Sequence, residues 1–149
     1  METFGLKIRD QAYLTRTGVH LVIFDPKIKK ILLVSPPNGS YLLPGGEIEE
    51  NETHKETAKR ESIEELGFEI EIESFIGEAE DYYYSKYRQH YYHNPAYFYT
   101  VKLWKSVCEP LEDFNQLEWA SIPEALIKLK RGSHKWAVKQ YENNFLKTN

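Results

Sequence analysis

The order of strand-like and helix-like segments predicts one mixed α/β domain, a sandwich of helices packed on a mixed β-sheet. Three observations lead to this prediction. The chain has 149 residues, which is the size of one ordinary domain. Short β-branched apolar runs precede and follow a helical segment at 52–66 that has neither Gly nor Pro. No internal repeat or linker divides the sequence, so we expect a single domain over residues 1–149.

Two apolar runs before the helical segment, at 19–24 and 31–34, are rich in β-branched residues, and a short basic loop separates them. They predict two antiparallel core strands. Residues 41–43 are expected to be extended. The sequence LPGG at 43–46 has Pro and then Gly at its two central positions, which is typical of a type II turn.

The segment 52–66 is composed mostly of good helix formers. Asn51 or Thr53 can cap its start, and Gly67 suits the left-handed position after its end. After this helix we expect strands at 68–73, 75–84, 91–105 and 117–122, then helices at 123–130, started by Pro123, and at about 133–146, capped by Ser133.

Composition and charge exclude several classes of protein. No apolar run approaches the roughly 20 residues that a membrane helix needs, and the N-terminus lacks the pattern of a signal peptide. The single cysteine, Cys108, cannot form an internal disulfide. We therefore expect a soluble cytoplasmic protein that does not bind membranes. Residues 46–73 carry eleven glutamates against three basic residues, the opposite of the basic stripe expected of a protein that binds duplex nucleic acid.

Three glutamates of the predicted helix share one face, because Glu61, Glu64 and Glu65 stand at i, i+3 and i+4. Like charges at this spacing cost about 0.2–0.5 kcal/mol per pair. The helix dipole also disfavours anions in the C-terminal half of a helix. A divalent cation such as Mg²⁺ would reverse the sign of these terms, because it binds hard oxygen ligands. The alternative is a crowded but solvated acidic face.

The segment 46–68, GEIEENETHKETAKRESIEELGF, resembles the Nudix box. Every glycine and charged position of that pattern matches at the right spacing, from Gly46 through Glu52 and the Arg60-Glu61 pair to Gly67. Two departures are mild, because Ser62 and Phe68 stand where aliphatic residues are usual. The similarity extends over about residues 15–130 and includes the preceding LPGG and a later Leu-Glu-Trp sequence.

This resemblance implies a Nudix-type α/β/α sandwich with a mixed β-sheet and a single Nudix hydrolase domain. It implies a MutT-like nucleotide pyrophosphohydrolase, an enzyme that cleaves the diphosphate linkage of a nucleoside diphosphate joined to another group and that acts on phosphoric anhydride bonds. The implied cofactor is Mg²⁺, with Mn²⁺ as a substitute. The implied metal ligands are Glu61, Glu64 and Glu65, completed by the main-chain carbonyl of Gly45 or Gly46.

Arg60 and Glu52 fall on the structural ion-pair positions of the family. Helix spacing independently places Glu56 and Glu64 one turn before and after Arg60. Arg60 is therefore expected to hold a catalytic carboxylate in place. The general base stays open at this stage: Glu64, Glu65, or one of the glutamates in the segment around residue 119, which are Glu109, Glu112 and Glu118.

Side chains outside the box are candidates for substrate binding. Lys86 and Arg88 lie in the loop of the long predicted hairpin and could meet phosphate charge, although a solvated turn explains them better. Eight of the eleven tyrosines fall within 82–99. Sheet packing accounts for many of them, while base stacking or a homodimer interface would account for the excess. The candidates for such contacts are Tyr83, Tyr92 and Tyr99.

Two other functions compete with the hydrolase. A catalytically silent Nudix-fold module could bind a nucleotide or a protein, but such modules typically lose box carboxylates, and all of them are present here. A plain acidic-helix interaction domain would need a chance match to the box. Oxidised nucleoside triphosphates, dinucleoside polyphosphates, nucleotide sugars and 5′-capped RNA all stay open as substrates.

Overall fold

The computed structural model describes residues 1–37, 39–112 and 114–146, which form two β-sheets and three α-helices. The elements in chain order are β1 (Glu2–Phe4), β2 (Leu14–Thr15), β3 (Gly18–Val22), β4 (Phe24–Asp25), β5 (Lys30–Ser35), β6 (Gly45–Glu47), α1 (His54–Leu66), β7 (Phe68–Ser85), β8 (His90–Ser106), β9 (Gln116–Ala120), α2 (Ile122–Lys128) and α3 (Gly132–Asn144). The mixed α/β class predicted from the sequence is confirmed.

The larger sheet is mixed and has the strand order β1-β7-β8-β3-β6, with β2 added beside β8. Strand β3 is parallel to β8 and antiparallel to β6, while β7 and β8 form a long antiparallel hairpin. The smaller sheet is antiparallel, in the order β4-β5-β9.

The core lies on both faces of the larger sheet because alternate residues of β3 point to opposite sides. Val19 and Leu21 pack in one cluster with Ala58 and Leu66 of α1. Val22 packs in the other cluster, which includes residues of α2 and α3. The sheet is thus sandwiched between α1 and the C-terminal helices. Within the described residues, no helix is long and apolar enough to cross a membrane.

The first apolar run does not form a simple hairpin with the second, and that prediction was wrong. Gly18–Val22 lies inside the larger sheet between β8 and β6 and is buried on both faces. Only Phe24–Asp25 pairs antiparallel with the second run, at Lys30 and Ile31. A continuous apolar run suits a central strand covered on both faces, which explains why β3 joins the larger sheet.

The predicted type II turn at 43–46 is also wrong. Gly45 has φ of +142°, whereas a type II turn needs about +80° at its third position. The carbonyl of Pro44 accepts a hydrogen bond from the Leu21 amide, and Gly45 pairs with His20 as the first residue of β6. The segment is therefore an extended strand that runs alongside β3.

The two strands predicted at 68–73 and 75–84 are one strand, β7, which pairs with β8 along most of its length. Register shifts between Glu71 and Gly77 bend it, as β-bulges do. Ser74 stays attached at the bend, because its amide donates to the Thr100 hydroxyl. The bend lets the hairpin cover the core at one end and extend beyond it at the other.

Side-chain caps define the helix ends. Thr53, one of the two predicted candidates, caps α1 in a capping box with Glu56, and Gly67 ends the helix in the left-handed conformation at φ 71°. A Cβ on Gly67 would lie 2.1 Å from the Cys108 carbonyl oxygen. Glycine is therefore needed there both for the left-handed φ and for the lack of space. Helix α2 begins one residue before Pro123, because Ser121 is its cap.

The predicted cap of the C-terminal helix was wrong. Ser133 lies inside α3 and is buried, and the helix ends at Asn144. The Ser133 amide and hydroxyl both donate to the carboxylate of Asp81, a residue of β7. A carboxylate from a distant strand thus takes the place of a local cap at this helix N-terminus.

Candidate metal centre and substrate cleft

Arg60 is the centre of the carboxylate network on α1. Its guanidinium donates to both oxygens of Glu52, at 2.6 and 2.9 Å, and to Glu61 and Glu64 at 2.9 and 3.1 Å. It also donates to the backbone carbonyl of Glu47 at 3.0 Å. The paired hydrogen bonds from Arg60 to the Glu52 carboxylate hold the pKa of Glu52 down at about 2. The Arg60 cation thus offsets part of the repulsion between the glutamates that share this face of α1.

Glu56 is not a partner of Arg60, although helix spacing predicted it as one. Its carboxylate accepts a hydrogen bond from the Thr53 amide in the capping box of α1. Glu52, from the segment before the helix, takes that place instead. The ion pair between Arg60 and Glu52, which the family resemblance implied, is therefore the one that forms.

Glu61, Glu64 and Glu112 form a cluster in which one carboxylate oxygen from each lies within 4.8 Å of the others. Glu112 comes from the segment between β8 and β9, and its amide donates to the Glu64 carbonyl at 2.9 Å. That backbone bond fixes the segment against α1. Burial and the neighbouring Glu64 and Glu112 charges raise the pKa of Glu61 to about 7, against the lowering effect of Arg60. Three converging carboxylates form the hard-oxygen donor set that Mg²⁺ binds, so the residues fit the implied metal.

Glu65 lies beside this cluster but faces the backbone of β6. Its Oε1 accepts a hydrogen bond from the Gly45 amide at 3.0 Å. Burial raises its pKa to about 8, and the charges of Glu61, Glu112 and Glu64 act in the same direction. Glu65 therefore ties β6 to α1 with one oxygen, and its metal-ligand role stays a prediction.

The two glycines at 45 and 46 let β6 pass closely between β3 and α1. A Cβ on Gly45 would lie 2.1 Å from the carbonyl oxygen of Val19, and one on Gly46 would lie 2.3 Å from Glu61 Oε2. Gly46 thus makes room for a carboxylate of the cluster. The predicted ligation of metal by a carbonyl of Gly45 or Gly46 stays a prediction.

A cleft of about 960 Å³ extends from the glycines of β6 to the tip of the β7–β8 hairpin. Four of the predicted substrate-binding residues line it, namely Tyr83, Lys86, Arg88 and Tyr92. Tyr99 does not belong to this lining. Its hydroxyl lies 2.7 Å from Nδ1 of His54, at the start of α1.

Several cleft residues were not found from the sequence. Three distant segments supply them, and no local spacing marks them as a group. The cleft also contains Arg16, His20, Asn94, Lys130, Arg131 and His134.

Two buried histidines, His20 and His134, support the cleft floor. The backbone of Leu43 joins them, because its amide donates to Nδ1 of His134 at 3.1 Å and its carbonyl lies 3.2 Å from Nδ1 of His20. Their rings are 4.4 Å apart. Burial lowers the pKa of His20 to about 4 and that of His134 well below its usual value, so both rings are neutral at pH 7.

The NUDIX domain family model matches residues 14–141 of the chain. The chain belongs to the Nudix family. This membership confirms the predicted family and the predicted enzyme class, a hydrolase that acts on phosphoric anhydride bonds. Among curated proteins, no sequence relative matches the chain.

Solved structures share the Nudix fold with this chain at low sequence identity. The E. coli dihydroneopterin triphosphate pyrophosphohydrolase is 20% identical, with a TM-score of 0.68 over 90% of this chain and 99% of that one. The E. coli ORF135 protein is 20% identical, with a TM-score of 0.67 over 88% and 91%. The MutT protein from Bacillus halodurans is 23% identical, with a TM-score of 0.65 over 83% and 80%.

Proposed function

We propose that this Nudix enzyme is a Mg²⁺-dependent nucleotide pyrophosphohydrolase, in which Mn²⁺ can replace Mg²⁺. The observation that carries the proposal is the convergence of Glu61, Glu64 and Glu112 behind Gly46, next to a cleft lined by aromatic and basic side chains. The substrate is a small nucleoside diphosphate derivative, and the products are those of diphosphate cleavage by water.

Glu61, Glu64 and Glu112 would hold the metal, with Glu65 and a carbonyl of Gly45 or Gly46 adjacent to them. When bound, Mg²⁺ polarises a phosphoryl oxygen and lowers the pKa of a bound water.

Arg60 contributes by holding Glu61 and Glu64 at fixed positions while Glu52 holds Arg60 from the other side. Arg60 is thus a positioning residue and does not need to touch the substrate.

Glu65 is the carboxylate best suited to take the proton of the attacking water. Its Oε1 is anchored on the Gly45 amide, which leaves Oε2 for a water molecule. A pKa raised to about 8 by burial lies close to a working pH near neutrality, where a general base is most effective. The sequence also left Glu64, Glu109, Glu112 and Glu118 open as the base. Of these, Glu64 and Glu112 belong to the carboxylate cluster, and substitution distinguishes them from Glu65.

The cleft would hold the nucleoside part of the substrate. Tyr83 and Tyr92 stack on each other with ring centroids 5.7 Å apart, and Lys86 and Arg88 lie at the hairpin tip. We propose these four residues as substrate contacts.

Tyr99 lies on β8 and contacts His54 at the start of α1, so its proposed role in substrate binding is the least supported by position. Phe75 also packs on its ring, at 5.1 Å between centroids. Both contacts are structural ones that involve no cleft residue.

A cytoplasmic location stays a proposal that rests on Cys108, which is exposed and unpaired among the described residues. A homodimer likewise stays a prediction based on the tyrosine-rich hairpin.

The test is a turnover assay with and without Mg²⁺ against nucleoside triphosphates, oxidised nucleoside triphosphates, dinucleoside polyphosphates, nucleotide sugars and capped RNA, with products identified by mass. Dihydroneopterin triphosphate belongs in the panel because one structural neighbour is named for it. We expect Mg²⁺-dependent cleavage of at least one substrate. Turnover that persists after chelation would contradict the proposal, and tight nucleotide binding without turnover would favour the silent binding module.

A further inference from the structure

The cleft contains a group of basic side chains that form no close ion pair among the described residues, although the Arg131 charge acts on the buried Asp81 carboxylate, which also lines the cleft. Arg16, Lys86, Arg88, Lys130 and Arg131 all line it. Across the described residues, none of them lies within 4.0 Å of a carboxylate, whereas Arg60 and Lys128 both form ion pairs. This is unexpected in a chain with a net charge of −4. Unpaired cations gathered in one concave site indicate an anionic ligand.

Two of these cations are held in place by the hairpin tyrosines. The Arg131 guanidinium lies over the Tyr83 ring, 5.4 Å from its centroid, and donates to the Tyr83 hydroxyl at 3.2 Å. The Arg16 guanidinium lies 5.3 Å from the centroid of Tyr92. Stacking orients each guanidinium while its N–H groups stay available, and such a group binds a phosphate through paired hydrogen bonds.

An unsatisfied polar atom in the same cleft indicates a ligand independently of the charges. Asn94 is only 8% exposed, and its Nδ2 donates to the Tyr83 hydroxyl at 3.0 Å. Its Oδ1 is buried and has no hydrogen-bond partner in the described structure. Buried carbonyl oxygens of this kind are almost always paired. A sugar hydroxyl or a base N–H of a bound nucleotide is the kind of donor that Oδ1 lacks.

The basic group is distant from the carboxylate cluster. Gly45 pairs with His20, which pairs with Phe98 of β8, whereas the Arg16 and Arg131 guanidiniums lie at the level of Tyr92. Phe98 lies six residue steps after Tyr92, which corresponds to about 20 Å along β8. A diphosphate at the carboxylate cluster is too short to reach both ends of the cleft.

We propose that Arg16, Arg131 and the hairpin-tip residues Lys86 and Arg88 bind a second phosphate of the substrate, on the side of the nucleoside opposite the scissile diphosphate. The proposal rests on the proposed function, because it assumes that the diphosphate lies at the carboxylate cluster. A nucleoside whose 5′ side carries the diphosphate can bear a further phosphate on its 3′ side. The preferred substrate is therefore a nucleotide with a 3′-phosphate, present either as a free monoester or as the first linkage of an oligonucleotide.

The experiment measures binding without Mg²⁺, so that affinity for the second phosphate is separated from catalysis. The probes are adenosine and guanosine 5′-diphosphates, the same compounds with a 3′-phosphate, and dinucleotides with a 5′-diphosphate. We expect the 3′-phosphate to tighten the Kd about tenfold. The monoester and the dinucleotide probes distinguish the two sources of that phosphate.

Arg131→Gln, Arg16→Gln and Arg88→Gln should each remove most of this preference, while Lys102→Gln, an exposed residue of β8 outside the cleft, should keep it. Arg88 lies exposed at the hairpin tip, so its variant tests the proposal even if Arg131→Gln unfolds α3. Equal Kd values with and without the 3′-phosphate, or a preference that survives in all three variants, would overturn the proposal.

The binding result and the turnover result separate the two proposals. Mg²⁺-dependent cleavage with no preference for a 3′-phosphate would leave the hydrolase intact and refute the second phosphate site. A strong 3′-phosphate preference without any turnover would refute the hydrolase and retain the site.

Discussion

The Glu61 carboxylate occupies the space that a side chain on residue 46 would need. A Cβ on Gly46 would lie 2.3 Å from Glu61 Oε2 and 2.4 Å from its Cδ. Gly46 has no left-handed φ, so glycine is needed there because of this contact and not because of the backbone. The glycine at the start of the box and the first carboxylate of its Arg-Glu pair thus form one structural unit.

Gly46→Ala should therefore damage the metal centre more than the fold. The added methyl group displaces the flexible end of Glu61. We therefore expect the Mg²⁺ affinity measured by calorimetry to fall at least about tenfold, because this is the typical loss when a residue that positions a metal ligand is changed. Gly39→Ala is the matched control. Gly39 has φ of +84°, and no neighbouring atom of the described residues would lie within 4 Å of a Cβ added there. The control should lower stability by about 1 kcal/mol and leave Mg²⁺ affinity intact. Unchanged affinity in Gly46→Ala would contradict this account.

Arg60→Ala should lower both stability and kcat while KM changes little. The substitution leaves Glu52, Glu61 and Glu64 without their shared cation, and the loss destabilises the partly buried Glu61 carboxylate most, because burial already disfavours its charge. Denaturant unfolding and steady-state kinetics measure the two effects. Arg60→Lys should recover only part of each, because an ammonium cannot reproduce the paired hydrogen bonds to Glu52. A large rise in KM with normal kcat would mean that Arg60 binds the phosphates instead.

Metal-free stability should fall as pH rises from about 6.5 to 8.5. The pKa values of Glu61 and Glu65 are raised from 4.5 to about 7 and about 8. Between the unfolded and folded values the folded state keeps protons that the unfolded chain has already lost, so stability declines with pH and levels off once both groups have ionised. The neutral His20 and His134 act in the opposite direction only below their unfolded pKa of about 6.5. Thermal unfolding at several pH values measures the slope.

Two further measurements check this pH dependence. Saturating Mg²⁺ should reduce or reverse the slope, because the metal binds the ionised carboxylates. Glu65→Gln should reduce the slope without metal. A melting temperature that stays flat across this range in the metal-free wild type would refute the raised pKa values.

Tyr83→Phe and Tyr99→Phe form a matched pair, since each removes one tyrosine hydroxyl. The Tyr83 hydroxyl binds both Arg131 and Asn94 in the cleft, so its loss should raise KM several-fold with little change in kcat. The Tyr99 hydroxyl binds His54 outside the cleft, so its loss should affect stability alone. Kinetics and sedimentation check both variants. Equal KM values would show that the cleft does not bind substrate, and a change in oligomeric state would place the tyrosines at a dimer interface.

Local sequence was sufficient to predict α1 with its Thr53 cap and Gly67 stop, because helix propensity and capping depend on neighbouring residues. The box residues on α1 were found for the same reason. The partner of Arg60 shows where local reasoning fails. Helix spacing suggested Glu56, but the capping box engages that carboxylate, and Glu52 binds Arg60 from outside the helix.

Tertiary contacts decided what the sequence left open. Three glutamates were candidates outside the box, and Glu112 joins the cluster because its amide binds the Glu64 carbonyl. Glu118 instead binds Lys128 and Tyr41. The basic residues of the cleft come from three separate segments, so no spacing could have grouped them. The long bent β7 was predicted as two strands because its bulges interrupt the alternation of apolar residues.

The most direct test of the carboxylate centre is the kcat of Glu64→Gln at saturating Mg²⁺, measured on the best substrate of the wild-type enzyme. We expect a loss of at least about 100-fold, the scale of losing metal or general-base assistance. Glu118→Gln is the control and should stay near wild type, because its carboxylate lies outside the cluster. A Glu64→Gln variant with near-wild-type kcat would contradict the assignment of this centre to catalysis.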